Sequence, residues 1–309
     1  MKAFDVIGLG VSTVDILSLV NNFPSHEGVQ SAHNMLAQGG GPVATAIVTL
    51  ARLGARTAMI DTVGDDWRAQ IILDEFRQGG ICTEHVLQRD KFTSSTASIT
   101  VRSADGARSI VYYPGTAGDL NPDDLPRAAI ETARFLHVNG RHWDACLQAA
   151  DWARSAGVRV SFDGGANRYR DELRKLVPLT HICIVAREFA ESYTRETHVE
   201  TAASRLLDEG PELVVITEGI KGSWIFPQDG KPFHQPAYLF PKVVDTTGCG
   251  DSYHGAFLFA LCREMSYKEG AKLASAVAAL NSQHLGGRTG LPTLKQVEAF
   301  LAQHPSPDG

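Results

Sequence analysis

The segment Asp245-Thr-Thr-Gly-Cys-Gly-Asp251 combines residue types that can bind a phosphate and accept a proton. Gly248 and Gly250 precede the helical stretch Ser252–Arg263, so the loop lies at a helix N-terminus. Such a turn directs N–H groups and the positive end of the helix dipole at one point, where a phosphoryl group in transfer is stabilised. The Asp251 carboxylate could accept the proton of an attacking hydroxyl. The loop predicts phosphoryl transfer, which depends mainly on positioning and charge neutralisation.

The same loop is also compatible with a structural role, in which Asp251 only caps the helix. Its neighbours favour the chemical role. Gly255 and Ala256, one turn into the helix, are small enough for close packing against a nucleotide or a strand. Asp245 and Thr247 offer oxygen ligands for a cation.

A second glycine-rich segment, Gly39-Gly-Gly-Pro-Val-Ala-Thr45, opens another helical stretch in the same manner. Glycines at a helix start let a ligand approach the backbone closely. They would also suit a flexible hinge, and the two roles are compatible.

Asp15 follows the first apolar stretch in Gly8-Leu-Gly-Val-Ser-Thr-Val-Asp15, and we interpret this segment as a loop after the first strand. Loops at that position lie at the ligand-binding edge of open α/β sheets, where a buried acid can accept two sugar hydroxyls. A turn-capping aspartate is the structural alternative. The segment also resembles a dinucleotide-binding fingerprint, but Thr13 occupies the third glycine position, so that signal is weak.

Elements able to position these loops alternate along the chain, since short β-rich stretches are separated by amphipathic helical ones. This alternation predicts a parallel sheet with helices on both faces. The predicted strands are Phe4–Ile7, Thr57–Asp61, Phe135–Val138, Val158–Phe162, His181–Val185 and Leu213–Thr217, and the predicted helices include Val43–Leu53, Trp67–Arg77, Cys146–Ser155, Thr201–Leu207 and Tyr267–Gln283.

One region departs from this alternation. Ser98–Tyr113 has two β-rich arms around Asp105-Gly106, a strong signal for a hairpin. Val29–Ala37 has no helical period either. We expect both stretches to form a small discontinuous β-sheet lid, with segments at about 12–38 and 91–115, on a single domain of residues 1–309. The alternative is that they extend the edge of the main sheet.

Composition excludes several classes of protein. The 309 residues carry a net charge of −6, which disfavours a nucleic-acid or anionic-membrane partner. The five cysteines show no Cys-x-x-Cys spacing and favour reduced thiols in a cytoplasmic protein. Asp5 interrupts the first apolar stretch and disfavours a signal peptide. No stretch has the apolar length of a membrane span.

Together these motifs resemble the ribokinase-like (PfkB) carbohydrate kinases over nearly the whole chain. Asp245–Asp251 with Gly255-Ala256 resembles the C-terminal signature of that family, and Gly40-Gly41 with Ala51–Gly54 resembles the N-terminal one. The stretches Val63–Asp66 and Thr217–Gly222, and Gly286-Gly287 ahead of Pro292, also fall at family positions.

This resemblance implies a Rossmann-like α/β domain with a β-sheet lid, a requirement for MgATP, and transfer of the γ-phosphoryl group to a hydroxymethyl. It also implies roles for individual residues. The family positions assign the catalytic base to Asp251 and the anion hole to Gly248, Cys249 and Gly250. Sugar contacts fall to Asp15, Gly40, Gly41 and Thr45, nucleotide contacts to Thr217, Gly219, Gly222 and Asn281, and a possible potassium site to Asp245 and Thr247.

Two departures affect the metal and sugar contacts. Where relatives often carry Asn-x-x-Glu near magnesium, this chain has Val185-Ala-Arg-Glu188, so Glu188 alone remains. Thr45 stands where many relatives carry Asn.

Within the family, Tyr113-Pro114, Arg141-His142, Asp163-Gly164 and Gly286-Gly-Arg288 resemble the sulfofructose kinase subgroup. Arg141 could bind an anionic sugar tail through its forked donors, or form a structural ion pair. The subgroup also uses a Lys and an Asn, at positions where this chain has Val29 and Tyr112. These two differences favour a neutral, ketohexose-like sugar as the substrate.

We also expect a homodimer formed through the lid, because a small sheet with an exposed β face favours pairing with a second copy.

Other functions remain as alternatives. A nucleoside kinase of the same fold is the nearest one. An NAD-dependent oxidoreductase would need a third glycine and an acid near the end of the second strand, but Asp61 is too far from Gly8. A non-catalytic sugar sensor would be favoured if Asp251 or its flanking glycines were absent.

Overall fold

The computed structural model describes residues 3–25 and 27–304, so His26, within the predicted lid segment, lies outside the described residues. The described residues form an α/β fold with two separate sheets. The larger one, the main sheet, has the strand order β13-β12-β11-β10-β9-β8-β1-β4-β5. Its strands are β1 (Val6–Leu9), β4 (Thr57–Gly64), β5 (Val86–Arg89), β8 (Phe135–Val138), β9 (Arg159–Gly164), β10 (Ile182–Ala186), β11 (Leu213–Thr217), β12 (Ser223–Pro227) and β13 (Phe233–Gln235).

The strands from β11 to β5 are parallel, whereas β12 and β13 add antiparallel pairs at one edge. Apolar clusters cover both faces of this sheet, as expected for parallel strands. The helices are α1 (Pro42–Arg52), α2 (Trp67–Gln78), α3 (Arg127–Thr132), α4 (Trp143–Ser155), α5 (Arg187–Thr194), α6 (Val199–Asp208), α7 (Cys249–Cys262), α8 (Tyr267–Asn281) and α9 (Leu294–Gln303).

The second sheet, called the small sheet below, has the order β3-β2-β6-β7 and is built from distant parts of the chain. A small apolar cluster including Leu17, Ile99 and Leu285 packs beneath it. A separate sheet was predicted, in preference to an extension of the main one. Its strands are β2 (Thr13–Val20), β3 (Asn34–Gly40), β6 (Ser95–Arg102) and β7 (Arg108–Tyr113).

Two local predictions are wrong. The segment around Asp15 is not a loop, because Thr13–Val20 forms β2 and pairs with both β3 and β6. The strand expected at Val29–Ala37 begins later, at Asn34, and runs through Gly40. Val29 therefore lies outside the strand, and its side chain is fully exposed.

Helices α1 and α7 pack against each other at a glycine. A Cβ added to Gly255 would overlap the Ala46 carbonyl oxygen, so only glycine permits this close approach. Both helices begin at a glycine in the left-handed region, Gly41 at φ 93° and Gly248 at φ 71°. The α1–α7 contact therefore holds both glycine-rich loops in one rigid unit.

Candidate active site

One large cavity, of about 1300 Å³, opens at the carboxyl ends of the parallel strands and beneath the small sheet. This is the edge at which open α/β sheets bind ligands. The cavity brings together most of the residues predicted from the sequence. Its lining includes Asp15, Gly41, Arg141, Glu188, Thr217, Gly219, Gly222, Thr247, Gly248, Cys249, Gly250 and Asp251.

The predicted phosphate loop lies at the N-terminus of α7, with Gly248 as the residue before the helix. A side chain at Gly248 would approach the Gly287 Cα to 2.7 Å, so the loop requires glycine there both for space and for its positive φ. The first-turn N–H groups of a helix have no partner within the helix, and Gly248, Cys249 and Gly250 all line the cavity. The arrangement provides a binding point for an anion at Gly248, Cys249 and Gly250.

Asp251 lies in the first turn of α7 and lines the cavity. Burial raises the pKa of its carboxyl group, while the guanidinium of Arg168 opposes this effect and Asp163 adds to it. A carboxylate with a raised pKa is a stronger base than an exposed one, as an acceptor of a hydroxyl proton must be.

Asp163 and His254 form a buried polar group beside Asp251. Asp163 is the second-to-last residue of β9 and lines the cavity, and its carboxylate lies 3.5 Å from both His254 Nε2 and Arg168 Nη1. Burial lowers the pKa of His254 to about 4, so the imidazole is neutral at pH 7. Sequence reasoning named Asp163 only for a subgroup resemblance and gave neither residue a role in the site, although the position of Asp163 directly after the predicted strand Val158–Phe162 was a usable signal.

Asp15, on strand β2 of the small sheet, also lines the cavity. It is 7% exposed, and Thr13 Oγ1 donates a 2.6 Å hydrogen bond to its Oδ1. Burial raises the pKa of the Asp15 carboxyl group. A Cβ at Gly40 would overlap the Asp15 carboxylate, so the glycine makes room for the acid.

Gly40 and Thr45, predicted to contact the sugar, do not line the cavity. Both contact Arg288, which donates to Thr45 Oγ1 at 3.1 Å and to the Gly40 carbonyl at 2.8 Å. Arg288 also pairs with Glu75 at 2.8 Å, and Glu75 accepts the Gly39 N–H. Thr45 thus holds an arginine in place, and the loop before α1 is anchored from behind.

Two other predicted residues, Asp245 and Asn281, also lie outside the cavity lining. Asp245 is buried, and its carboxylate accepts hydrogen bonds from the Thr247 N–H, the Thr247 hydroxyl and the Gly286 N–H, at 2.7–2.8 Å. Asn281 is fully buried and donates to the Gly287 carbonyl at 2.9 Å. Both residues therefore order the loops that surround Gly248, and neither lines the cavity.

The remaining predicted residues line a wider part of the cavity. Thr217 ends β11, and Gly219 and Gly222 have positive φ values of 57° and 100° in the turn that follows. Glu188, in the first turn of α5, forms no hydrogen bond or ion pair with any described residue and faces the cavity. Val185 is buried in β10 and has no access to the cavity.

The small sheet touches the phosphate loop directly. Arg108, at the start of β7, donates to Thr246 Oγ1 at 2.7 Å, and Thr246 donates to the Gly106 carbonyl at 3.2 Å. The turn that bears Gly106 is held by the bidentate pair between Arg102 and Asp105. Arg141 reaches the small sheet on another side, donating to Tyr112 Oη at 3.1 Å.

A parallel α/β sheet, a helix N-terminus and two buried carboxylates meet in one cavity, an arrangement compatible with phosphoryl transfer. Comparison with known proteins identifies its family. Residues 4–294 match the pfkB family carbohydrate kinases, and the chain belongs to that family. It is a sugar or nucleoside kinase of the ribokinase-like type.

Individual relatives cover nearly the entire chain. Mouse ribokinase is 31% identical, over 97% of this chain and 95% of its own. A 5-dehydro-2-deoxygluconokinase of Shouchella clausii is 27% identical, over 98% and 97%. The structure of Arabidopsis thaliana ribokinase complexed with ribose and ATP superposes with a TM-score of 0.82 over 97% of this chain and 99% of that one, at 23% identity.

Proposed function

We propose that this kinase transfers the γ-phosphoryl group of MgATP to a hydroxymethyl group of a ketohexose-like sugar, with Asp251 as the base. The observation that carries the proposal is the position of Asp251, at the helix N-terminus that begins with Gly248 and in the same cavity as Asp15. This arrangement provides one site for the transferred group and another for the hydroxyls of the acceptor.

In the proposed reaction the acceptor hydroxyl oxygen attacks the γ-phosphorus, and its proton passes to the Asp251 carboxylate. The bond from the γ-phosphorus to the β–γ bridging oxygen breaks, and ADP leaves with that oxygen. The N–H groups of Cys249 and Gly250 stabilise the charge on the transferring group. Asp15 accepts hydrogen bonds from the sugar hydroxyls and so holds the hydroxymethyl in place.

The residues present fit a magnesium ion that is bound mainly by phosphates. Mg²⁺ commonly takes one or two carboxylates, with water and phosphate oxygens as its other ligands. Glu188 supplies a carboxylate that has no partner among the described residues and faces the cavity. The ion would neutralise phosphate charge during transfer. Potassium at Asp245 and Thr247 stays a prediction, and a comparison of activity in K⁺ and Na⁺ salts tests it.

The wide part of the cavity is proposed to bind the nucleotide. Thr217, Gly219 and Gly222 form one side, and the small side chains of Ala278, Ala279 and Ser282 line another. Asn281 would act indirectly, by holding the Gly287 carbonyl against the loop at Gly248.

An anionic sugar is the second candidate substrate, as in the sulfofructose kinase alternative. Arg141 lines the cavity and has no carboxylate within ion-pair distance among the described residues. Val29, where the sulfofructose kinase subgroup has a lysine, is exposed and does not line the cavity. This difference therefore gives no evidence about the charge of the substrate. Arg141 and Tyr112, which both line the cavity, therefore bear on the choice between the two candidates.

A substrate panel tests the function and the charge of the substrate together. ATP consumption is measured with fructose, fructose 6-phosphate, sulfofructose, ribose and a nucleoside, in the wild type and in Arg141→Met. We expect turnover of a ketohexose with little selective effect of the substitution. Turnover of the nucleoside alone would establish the nucleoside kinase instead, and no ATP consumption with any acceptor would overturn the proposal.

If an anionic sugar is the true substrate, Arg141→Met should reduce kcat/KM for that sugar selectively. The loss of a charged hydrogen bond costs roughly 1.5–3 kcal/mol, or about one to two decades. A wild type that strongly prefers sulfofructose would contradict the neutral ketohexose.

We also propose that the small sheet acts as a lid and forms a homodimer in the cytoplasm. All six residues of β7 are exposed, among them Val111 at 71%. The outward face carries further apolar side chains, such as Met35 and Tyr113. Exposed apolar surface on a sheet edge favours pairing with a second copy. No described helix has both the length and the apolar character of a membrane span.

A further inference from the structure

Two of the segments that connect the main sheet to the small sheet, called crossings below, are linked by hydrogen bonds through one buried histidine. Residues 10–12 lead from β1 into β2, and residues 114–119 lead out of β7. The histidine is His142, in the segment between β8 and α4, with a side chain only 1% exposed.

The His142 ring bridges two carboxylates. Its Nε2 lies 2.9 Å from Asp61 Oδ1, and its Nδ1 lies 3.0 Å from Asp119 Oδ1. A charged imidazole donates through both ring nitrogens, which matches the two carboxylate acceptors, whereas the Leu120 N–H, 3.2 Å from Nδ1, matches a neutral ring whose Nδ1 accepts. The three side chains therefore form one chain of polar contacts that runs from the buried Asp61 to the largely exposed Asp119.

Each carboxylate is tied to a different crossing. Asp61 is fully buried in β4, and its Oδ2 accepts the N–H of Ser12 at 2.6 Å, at the entry to β2. Asp119 belongs to the crossing that leaves β7. Arg89 also holds that crossing, by donating to the carbonyls of Ala117 and Asp119.

The backbone of His142 is unusual as well. Its φ is 52°, in the left-handed region that residues other than glycine rarely adopt. This conformation starts α4 and presents the preceding residue, Arg141, to the cavity and to Tyr112 on β7. His142 thus fixes two crossings and also the residue that contacts the small sheet between them.

We infer that His142 is a positioning residue for sugar binding, which sets the small sheet over the acceptor end of the cavity by tying both crossings to the main sheet. The inference rests on the proposed function in that the acceptor is a sugar bound at Asp15, on strand β2 of the small sheet. A purely structural ion pair is the alternative, and it would affect stability without affecting the small sheet in particular.

Three variants separate these roles. His142→Asn keeps a residue type that tolerates positive φ but is too short to reach both carboxylates. Asp119→Ala releases one crossing at a site that is 67% exposed, so this variant should fold. Leu206→Ala is the control, since it opens a cavity in the core at α6, far from either crossing.

For His142→Asn and Asp119→Ala we expect KM for the sugar to rise roughly tenfold, because misplaced binding groups lose positioning. The kcat value and KM for ATP should change little. Amide hydrogen exchange of β2 and β7 should also accelerate in the sugar-free protein. Leu206→Ala should lower Tm while changing neither KM nor exchange in the small sheet.

The inference is overturned if KM and exchange in β2 and β7 follow Tm alone across all three variants. Amide exchange needs no substrate. If the wild type phosphorylates no sugar, the proposed function fails, while the exchange data still decide whether His142 ties the small sheet to the body.

Discussion

All eight residues of β4 in the main sheet are buried, whereas all six residues of β7 in the small sheet are exposed. The main sheet lies between two large apolar clusters, and the small sheet has one minor cluster that includes Leu17 and Ile99. Because stability follows buried apolar area, the main sheet can hold catalytic groups rigidly while the small sheet depends on a few polar contacts. Asp251, the proposed base, lies on the rigid side, and the proposed acceptor site at Asp15 lies on the less stable side.

The largest expected effect lies at the rigid side. Asp251→Asn removes the base but keeps the shape of the residue, so kcat should fall by ~10²–10⁴-fold while ATP binding is retained. Steady-state kinetics and calorimetric titration with ATP measure the two effects. Asp144→Asn, an equivalent change in the first turn of α4, is the matched control and should keep full activity. A kcat near that of the wild type would remove Asp251 from this role.

Two valines test the difference in burial directly. Val160→Ala in β9 deletes fully buried methyl groups and should lower the free energy of unfolding by roughly 2 kcal/mol. Val111→Ala in β7 should change it by less than about 0.5 kcal/mol, since the site is exposed. Urea unfolding of both variants provides the comparison. A larger loss at Val111 that grows with protein concentration would show that a second copy covers β7.

The pH dependence of stability tests the connection between the two sheets. Although burial lowers the pKa of His142, hydrogen bonds to Asp119 and Asp61 outweigh burial and raise it to about 9. Asp119 has its own pKa lowered by His142, with Arg141 and Arg170 adding to that effect. Because the folded pKa of His142 is raised, its contribution is complete below its ordinary value of 6.5 and is lost as pH rises through about 9.

From the shift of His142 we expect a contribution of about 3 kcal/mol at pH 6. Urea unfolding of the wild type and of His142→Asn at pH 6 and pH 10 measures it. The stability difference between the two proteins should shrink at the higher pH. A difference that stays constant between these pH values would show that the charge on His142 does not stabilise the fold.

The smallest expected effect is at the contact between the small sheet and the phosphate loop. Arg108→Met and Thr246→Val each remove one side of their 2.7 Å hydrogen bond. In a double-mutant cycle on kcat/KM we expect a coupling of about 1 kcal/mol, since the bond is exposed. Arg127→Met, which alters an exposed arginine on α3 away from the hairpin, is the control. Purely additive effects of Arg108 and Thr246 would mean that the contact does not act in the reaction.

The sequence was sufficient for the main sheet and for the phosphate loop, because both depend on local patterns. Alternating β-rich and amphipathic stretches predicted the parallel strands, and the glycines at Gly248 and Gly250 predicted the helix N-terminus. The antiparallel strands β12 and β13 were not predicted, since their short stretches are interrupted by Pro227 and polar residues. Asp15 was placed in a loop because the pairing of β2 with β6 involves a partner far along the chain.

The contacts that support the site could not be derived from local patterns. Asp61 and His142 are 81 positions apart, and Arg288 reaches Thr45 across 243 positions. Nothing in the neighbourhood of either residue indicates its partner, so only the folded structure reveals that a buried ion pair joins the crossings. Glycines whose proposed role depends on backbone geometry, such as Gly248, could be predicted from the sequence. Supporting residues such as His142 and Arg288 could not.

The glycine contact between α1 and α7 has a consequence for the sizes of acceptor that the enzyme accepts. Each helix begins at a glycine that lines the cavity, α1 at Gly41 and α7 at Gly248. The separation of the two helices is set where Gly255 contacts the Ala46 carbonyl. Any side chain at Gly255 would overlap that carbonyl and force the helices apart. The distance between the two helices is therefore fixed. Differences in acceptor size among relatives are expected to arise in the small sheet and the loops, and not in this helix pair.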